Sequence, residues 1–355
     1  MMLTVVVPAC GCAPYLPKLL ESLDAQTFRD FEVVFAVERC EDASLAICRN
    51  WKPKDGIPVT VLDLPRTGAG GASRNRAYEI ARGRYVVPID GDDWLDPEAL
   101  FDLASRLETA GFPEVANLTA RIVIDDGRGT LTPAGTVANL TPEDDGLCVS
   151  GVEFLRRVGR RGHCKNHGAL VVVRTDFLRE HGLYQLEGTP SEDSEWTPRV
   201  FACAPRVLFL STPHYNYRRR DGSVSSAGSN GILFATARIC VRLAAFFASV
   251  GLPSDVRRLL ENDALSIFNW YLFNHTYAQR FSNADRRAAI ALVFADAETE
   301  AAYRRLWTSA SRVKRWGLPF VVFARRTGIL LPAIVYFRYL YYPLTKLKGW
   351  FRRTY

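Results

Sequence analysis

Apolar and polar positions alternate in blocks along the first third of the chain. Thr4-Val5-Val6-Val7 is a short continuous apolar run of the kind that fills a buried strand. Leu16, Leu19, Leu20 and Leu23 then recur at helical spacing and predict a helix over Pro14–Ala25. Phe31–Val37 reads as a second strand, Asp42–Trp51 as a helix with Leu45 and Cys48 on one side, and Val59–Leu62 as a third strand. Ala72–Ala81 reads as a helix and Tyr85–Ile89 as a fourth strand. Pro97–Leu107 reads as a helix with proline in its first turn, where a missing N–H costs little. Strands separated by helical patterns predict an α/β protein with a Rossmann-like, mostly parallel sheet flanked by helices. Ligands on such sheets bind beyond the carboxyl ends of the strands. Those ends are Pro8–Gly11, Glu38–Asp42, Thr67–Asn75 and Asp90–Asp93.

From Glu114 to about Arg220 strands and helices mix. Glu114–Ile124, Gly168–Val173 and Val207–Leu210 read as strands, and Asp125–Gly146 as a loop or hairpin excursion. A Ser/Gly cluster at Ser225–Asn230 predicts a boundary between a first domain, 1–225, and a helical C-terminal region, 226–355. Helices are predicted over Ile232–Val250, Val256–Tyr277 and Asp285–Trp307.

Composition changes the picture little. The 355 residues are 48% hydrophobic and 23% charged, which excludes disordered, collagen-like and coiled-coil classes. The net charge of +7 points to an acidic partner. The 8 cysteines form no C-x-x-C pair and fit a reducing compartment. The start has no basic segment ahead of its short apolar run, so no signal peptide is expected. The longest apolar run of the tail, Gly328–Phe337, is too short to cross a bilayer.

Five stretches carry candidate chemistry. Asp90-Gly91-Asp92-Asp93 gathers three carboxylates at a strand end, which suits a divalent cation shared with phosphate, or else a turn capping the next helix. Arg66–Asn75 joins a strand to a helix through glycines that admit close backbone approach, with Arg74 available to a phosphate. Ser191–Trp196 opens a helix ending near Ala202, with Asp193 or Glu192 as a general base or merely an acidic cap. His214–Ser223 interleaves aromatics with arginines, including Arg218, and suits a phosphate or sugar. His163-Cys164-x-x-His167 lacks a second ligand pair for zinc and reads as structural or as part of an acceptor loop. No nucleic-acid module is readable.

In order, these pieces resemble glycosyltransferase family 2. The resemblance runs through Val5-Val6-Val7-Pro8, Gln26-Thr27-Phe28, Asp30–Val34, Ser73-Arg74-Asn75, Gly83-Arg84-Tyr85, Asp90–Pro97, Glu192-Asp193 and Tyr217–Ser225, and covers about residues 3 to 225. It implies a GT-A fold with a nucleotide-sugar half, about 1–110, and an acceptor half, about 111–225. It also implies an inverting, metal-assisted enzyme that takes a sugar from a nucleotide-sugar donor, by default a UDP-sugar. The acceptor would be a glycan or lipid-linked hydroxyl in cell-surface polysaccharide synthesis. On this resemblance Asp92 binds Mn²⁺ or Mg²⁺, and Asp90 holds ribose or supports the metal. Pro8, Ala9, Glu38, Arg74 and Gly91 line the nucleotide-sugar site, and Asp193 is the catalytic base. Glu192, His214 and Arg218 are secondary candidates, His214 as a further metal ligand.

Two departures bear on the donor. The first strand ends Pro8-Ala9-Cys10-Gly11 where Pro-x-Tyr/Phe-Asn is usual, and the second ends Glu38-Arg39-Cys40-Glu41-Asp42 where Asp-Asp-Gly-Ser is usual. An inactive relative that only binds nucleotide sugars, or a scaffold, is the alternative. A nucleotidyltransferase would carry a basic loop after the first strand, and none is there. The basic, aromatic stretch 311–355 predicts peripheral contact with the anionic cytoplasmic face of the cell membrane, or packing as a subdomain.

Overall fold

A computed structural model describes residues 1–162, 164–220, 231–273 and 281–308. The chain divides into two compact units between Gly228 and Ser229.

In the first unit β1 (Leu3–Ala9), β2 (Phe31–Glu38), β3 (Val59–Leu64) and β4 (Tyr85–Pro88) lie parallel. They alternate with α1 (Leu16–Asp24), α2 (Ser44–Asn50) and α3 (Gly70–Ile80), and α4 (Ala99–Thr109) follows. β1 is central, paired with β2 from Leu3↔Phe31 to Ala9↔Val37 and with β4 from Leu3↔Tyr85 to Val6↔Pro88. Being covered on both faces, β1 can be apolar at every position, and Val5, Val6 and Val7 are fully buried. Leu16, Leu19 and Leu23 of α1 and Leu100, Leu103 and Leu107 of α4 share one core with Val5, Val7, Phe35 and Val87.

The sheet continues through β6 (Val115–Asn117), β9 (Cys148–Val149), β10 (Val171–Arg174) and β11 (Val207–Phe209), in the order β3-β2-β1-β4-β10-β6-β11-β9. β10 and β9 run antiparallel to their neighbours. A second sheet, β5-β12-β7-β8, joins Trp94–Leu95, Tyr215–Arg219, Ala120–Asp125 and Leu131–Val137. Helices α5 (Gly151–Arg160), α6 (Thr175–Glu180) and α7 (Asp193–Cys203) complete the unit.

The stretch Glu114–Ile124, predicted as one strand, is two. The Leu118 N–H and the Asn117 side chain both donate to the Leu170 carbonyl, and beyond them the chain leaves the first sheet for the second. The turn from β7 to β8 is held by the Asp126 carboxylate, which accepts from the N–H groups of Arg128 and Thr130 at 2.8 and 3.0 Å.

The second unit is helical: α8 (Ile232–Ser249), α9 (Ser254–Phe273), α10 (Asn283–Ala295) and α11 (Ala297–Thr308). The single helix predicted over Asp285–Trp307 is broken at Asp296. That residue is extended, and its carboxylate accepts the Thr299 N–H at 2.8 Å, capping a new helix. Among the described residues α8 alone is long and apolar enough to cross a bilayer. It packs against α9, α10 and α11 and buries Leu233, Ala237, Leu243 and Phe247, as a core helix does. Residues 274–277 of the helix predicted over Val256–Tyr277, His163, Asp221–Ser225 and the stretch 311–355 lie outside the described residues.

Candidate active site

The site begins where β4 ends. The chain turns at Asp90, with the Asp93 N–H donating to the Asp90 carbonyl at 3.0 Å. Gly91 is required there, because a Cβ would sit 2.8 Å from Cys12 Sγ and 3.2 Å from the Pro8 carbonyl. The turn therefore lies directly on the end of β1, beside Pro8 and Ala9.

The three aspartates of the turn divide their work. Asp93 is 1% exposed and faces inward, accepting the Tyr215 hydroxyl at 2.6 Å and the Arg218 N–H at 2.7 Å. Burial, then the Asp90 and Asp92 charges, push its carboxyl well above the usual range. It ties the turn to β12 and leaves Asp90 and Asp92 as the more exposed pair. Burial and Asp90 also raise the Asp92 carboxyl, opposed by Arg220, whose Nη2 lies 3.2 Å away.

Helix α3 buries a polar face: Ser73, Arg74 and Asn75 are all covered. Arg74 reaches Asp90 at 2.5 Å with one nitrogen and Glu192 at 2.8 Å with another. Burial opposes its charge, but Asp90 and Glu192 outweigh burial and hold the guanidinium above the ordinary arginine range. Asn75 donates to the Gln185 carbonyl at 2.9 Å and accepts its N–H at 2.8 Å. The loop before α7 is thereby fixed against α3. Gly70 and Gly71 permit this approach: a Cβ on Gly71 would lie 2.6 Å from the Leu186 carbonyl. These glycines therefore admit a neighbouring segment of the chain, where the sequence pointed to a ligand.

Asp193 opens α7 directly after Glu192. Burial first, then the Glu192 charge, push its carboxyl up to about 7, with Arg74 pulling the other way. Gly168 lies opposite, close enough that its Cβ would stand 3.4 Å from that of Asp193. His167 precedes it, its ring edge-on to Tyr217 at 4.8 Å. Burial lowers the His167 pKa, opposed by the nearby Asp90 charge. The sequence gives His167 a structural or acceptor-loop reading rather than a zinc ligand's. Its signal was the Asn166-His167-Gly168 turn leading into a buried strand.

Glu38 is occupied. Its carboxylate accepts from the Thr67 N–H at 3.0 Å, the Ser73 hydroxyl at 2.8 Å, the Gly68 N–H at 3.3 Å and the Thr67 hydroxyl. It braces the loop between β3 and α3. Arg218 is likewise engaged, with Asp125 at 2.5 Å and the Asp92 carbonyl at 2.7 Å, and its guanidinium lies 4.9 Å from the Tyr15 ring centre. His214 stands elsewhere, 3.7 Å from Asp96 and 3.8 Å from Asp102. The structure thus brings together Pro8, Ala9, Arg74, Asp90, Gly91, Asp92, Glu192 and Asp193, and gives His214 acidic neighbours of its own.

Among the described residues no three His, Cys, Asp or Glu side chains converge as a metal cage. Asp92 fits a hard cation as a single carboxylate anchor, the mode in which phosphate oxygens and water supply the remaining ligands.

The family described as glycosyl transferase family 2 matches residues 4–134. Poly(ribitol-phosphate) beta-N-acetylglucosaminyltransferase TarS of Staphylococcus aureus is 28% identical over 231 residues, 64% of this chain and 37% of its own length. Glycosyltransferase GlyG of Streptococcus pneumoniae is 24% identical over 63% of this chain and 72% of its own. The crystal structure of S. aureus TarS 1-349 with UDP-GlcNAc superposes with a TM-score of 0.73 at 20% identity, covering 95% of this chain and 91% of that one. This likeness shows a shared GT-A-type fold. The chain spans little more than a third of the length of TarS, the first of the curated relatives it matches.

Proposed function

We propose that this chain, whose residues 4–134 match the family described as glycosyl transferase family 2, transfers a sugar from a UDP-sugar to a hydroxyl of a glycan or lipid-linked acceptor, with inversion at the anomeric carbon. The pathway served is cell-surface polysaccharide synthesis. The observation that carries this reading is the Arg74 bridge. One guanidinium joins Asp90, at the carboxyl end of the sheet, to Glu192, the neighbour of Asp193. A donor-facing carboxylate and a candidate base thus lie on either side of a single side chain. TarS, an N-acetylglucosaminyltransferase by name and crystallised with UDP-GlcNAc, supports the choice of donor.

In this reading Pro8, Ala9 and Gly91 flank the nucleotide, and Asp90 faces its ribose. Arg220 and Arg218 present positive charge beside Asp92. Asp193 takes the proton of the acceptor hydroxyl as its oxygen attacks the anomeric carbon. A carboxyl at about 7 is largely ionised just above neutral pH yet basic enough to hold that proton in the transition state. Arg74 limits the charge that Glu192 adds beside it. Asp92 would hold Mn²⁺ or Mg²⁺, which offsets charge on a departing diphosphate. The basic and aromatic residues of 311–355 support docking on the cytoplasmic face of the cell membrane without crossing it.

A panel of nucleoside-diphosphate sugars, screened by thermal shift and donor hydrolysis with and without Mn²⁺, tests the proposal. One UDP-sugar should stabilise the protein and be hydrolysed. No response to any donor would overturn it.

A further inference from the structure

We propose that Cys10 and Cys40 are a modification site, a thiol pair that closes to a reversible disulfide at the rim of the nucleotide site. β1 and β2 pair in parallel up to Ala9↔Val37, and both chains turn away just beyond. The two departing loops are laced together by the Gly11 N–H to Cys40 Sγ at 3.2 Å, the Cys12 N–H to Ser44 Oγ at 3.2 Å, and the Ala13 N–H to Asp42 Oδ2 at 2.8 Å. The first of these bonds puts the Cys10 α-carbon within about 6 Å of the Cys40 sulfur, a reach compatible with a disulfide. The two side chains interact directly, with Glu38 and Arg66 as the nearby charges. Cys10 is exposed and Cys40 half-buried, whereas Cys12 and Cys48 in the same region are buried. An oxidant in solution therefore meets the outer pair.

Burial and the neighbouring Cys40 push the Cys10 thiol up to about 11. Cys10 accordingly rests as a thiol, and the pair closes only when an oxidant of the peroxide class meets the thiolate fraction, faster as pH rises. One thiolate attacks a peroxide oxygen and becomes a sulfenic acid, with release of one water. The other thiol displaces a second water from that sulfur and forms the S–S bond. Two thiols lose two electrons and two protons, and one hydrogen peroxide becomes two waters. A dithiol reverses the step by exchange.

Closing the bridge removes the hydrogen that Cys40 donates to Asp42 at 2.9 Å. Asp42 also accepts from Ala13 and Ser44, so the whole rim shifts with it. The effect on donor binding rests on the function proposed above, while the disulfide itself does not.

The test treats the reduced full chain with stoichiometric hydrogen peroxide, digests it without reductant and maps linked peptides by mass spectrometry. The expected product links Cys10 to Cys40, disappears with dithiothreitol and is missing from Cys10→Ser and Cys40→Ser. UDP present during oxidation should lower its yield about fivefold or more, because a nucleotide seated against Pro8 and Ala9 covers the adjoining Cys10. Peptides in which the two cysteines stay unreacted, oxidise singly or pair elsewhere would overturn the proposal. A linked peptide whose yield UDP leaves unchanged would keep the disulfide and remove the nucleotide from this rim.

Discussion

In the proposed reaction Asp193, a side chain of ordinary acidity, becomes a base through its surroundings. Burial and Glu192 raise its carboxyl to about 7, while Arg74 keeps it from rising further. Only the ionised form can accept a proton, so turnover should climb about tenfold per pH unit below that value and level off above it. Steady-state rates across pH check this, and a flat profile through neutrality would contradict it. Asp193→Asn should keep donor affinity and lose transfer by roughly 10²-fold or more, measured as turnover beside UDP binding. Loss of both together would make Asp193 a helix cap and nothing else.

At the scale of elements, the contact between the start of α3 and the loop ahead of α7 holds the two sides of the site at fixed separation. Gly71→Ala puts a methyl against the Leu186 carbonyl, 2.6 Å away, and within 3.3 Å of the Glu192 Cγ. Overpacking of this kind costs about 1–3 kcal/mol. The loop should yield before the core does, so the variant should fold with a lowered Tm and lose more kcat than UDP affinity. Elements were legible where each makes its own core. The apolar runs of β1 to β4 and the leucine spacing of α1 announce themselves because one periodicity governs each whole segment. β5 and β9, at 2 residues each, carry no period at all, and exist only through pairing with distant strands. The acidic turn was visible as a cluster, but the inward role of Asp93 was not, since it depends on Tyr215 arriving from far along the chain. The bracing role of Glu38 was hidden for the same reason: its donors, Thr67, Gly68 and Ser73, come from another loop.

For the whole chain the expected behaviour turns on charge. The stretch 311–355 carries 10 Lys and Arg residues and no Asp or Glu. Each basic group near an anionic surface contributes about 1 kcal/mol, which salt screens. A chain ending at Ala310 should stay in the supernatant of anionic liposomes at low salt, and the full chain should pellet with them. Equal partition of the two forms would remove the membrane from the proposal. The split between Asp92 and Asp93 has a consequence for inherited variation. Replacing Asp92 leaves the inward hydrogen bonds of the turn in place, so such alleles should accumulate as normal amounts of inert protein. Replacing Asp93 strands the Tyr215 hydroxyl and the Arg218 N–H in the interior, a loss of about 1–3 kcal/mol each. Those alleles should be cleared by cellular quality control, and a survey of steady-state abundance across all substitutions would separate two neighbouring positions that an activity screen alone scores alike.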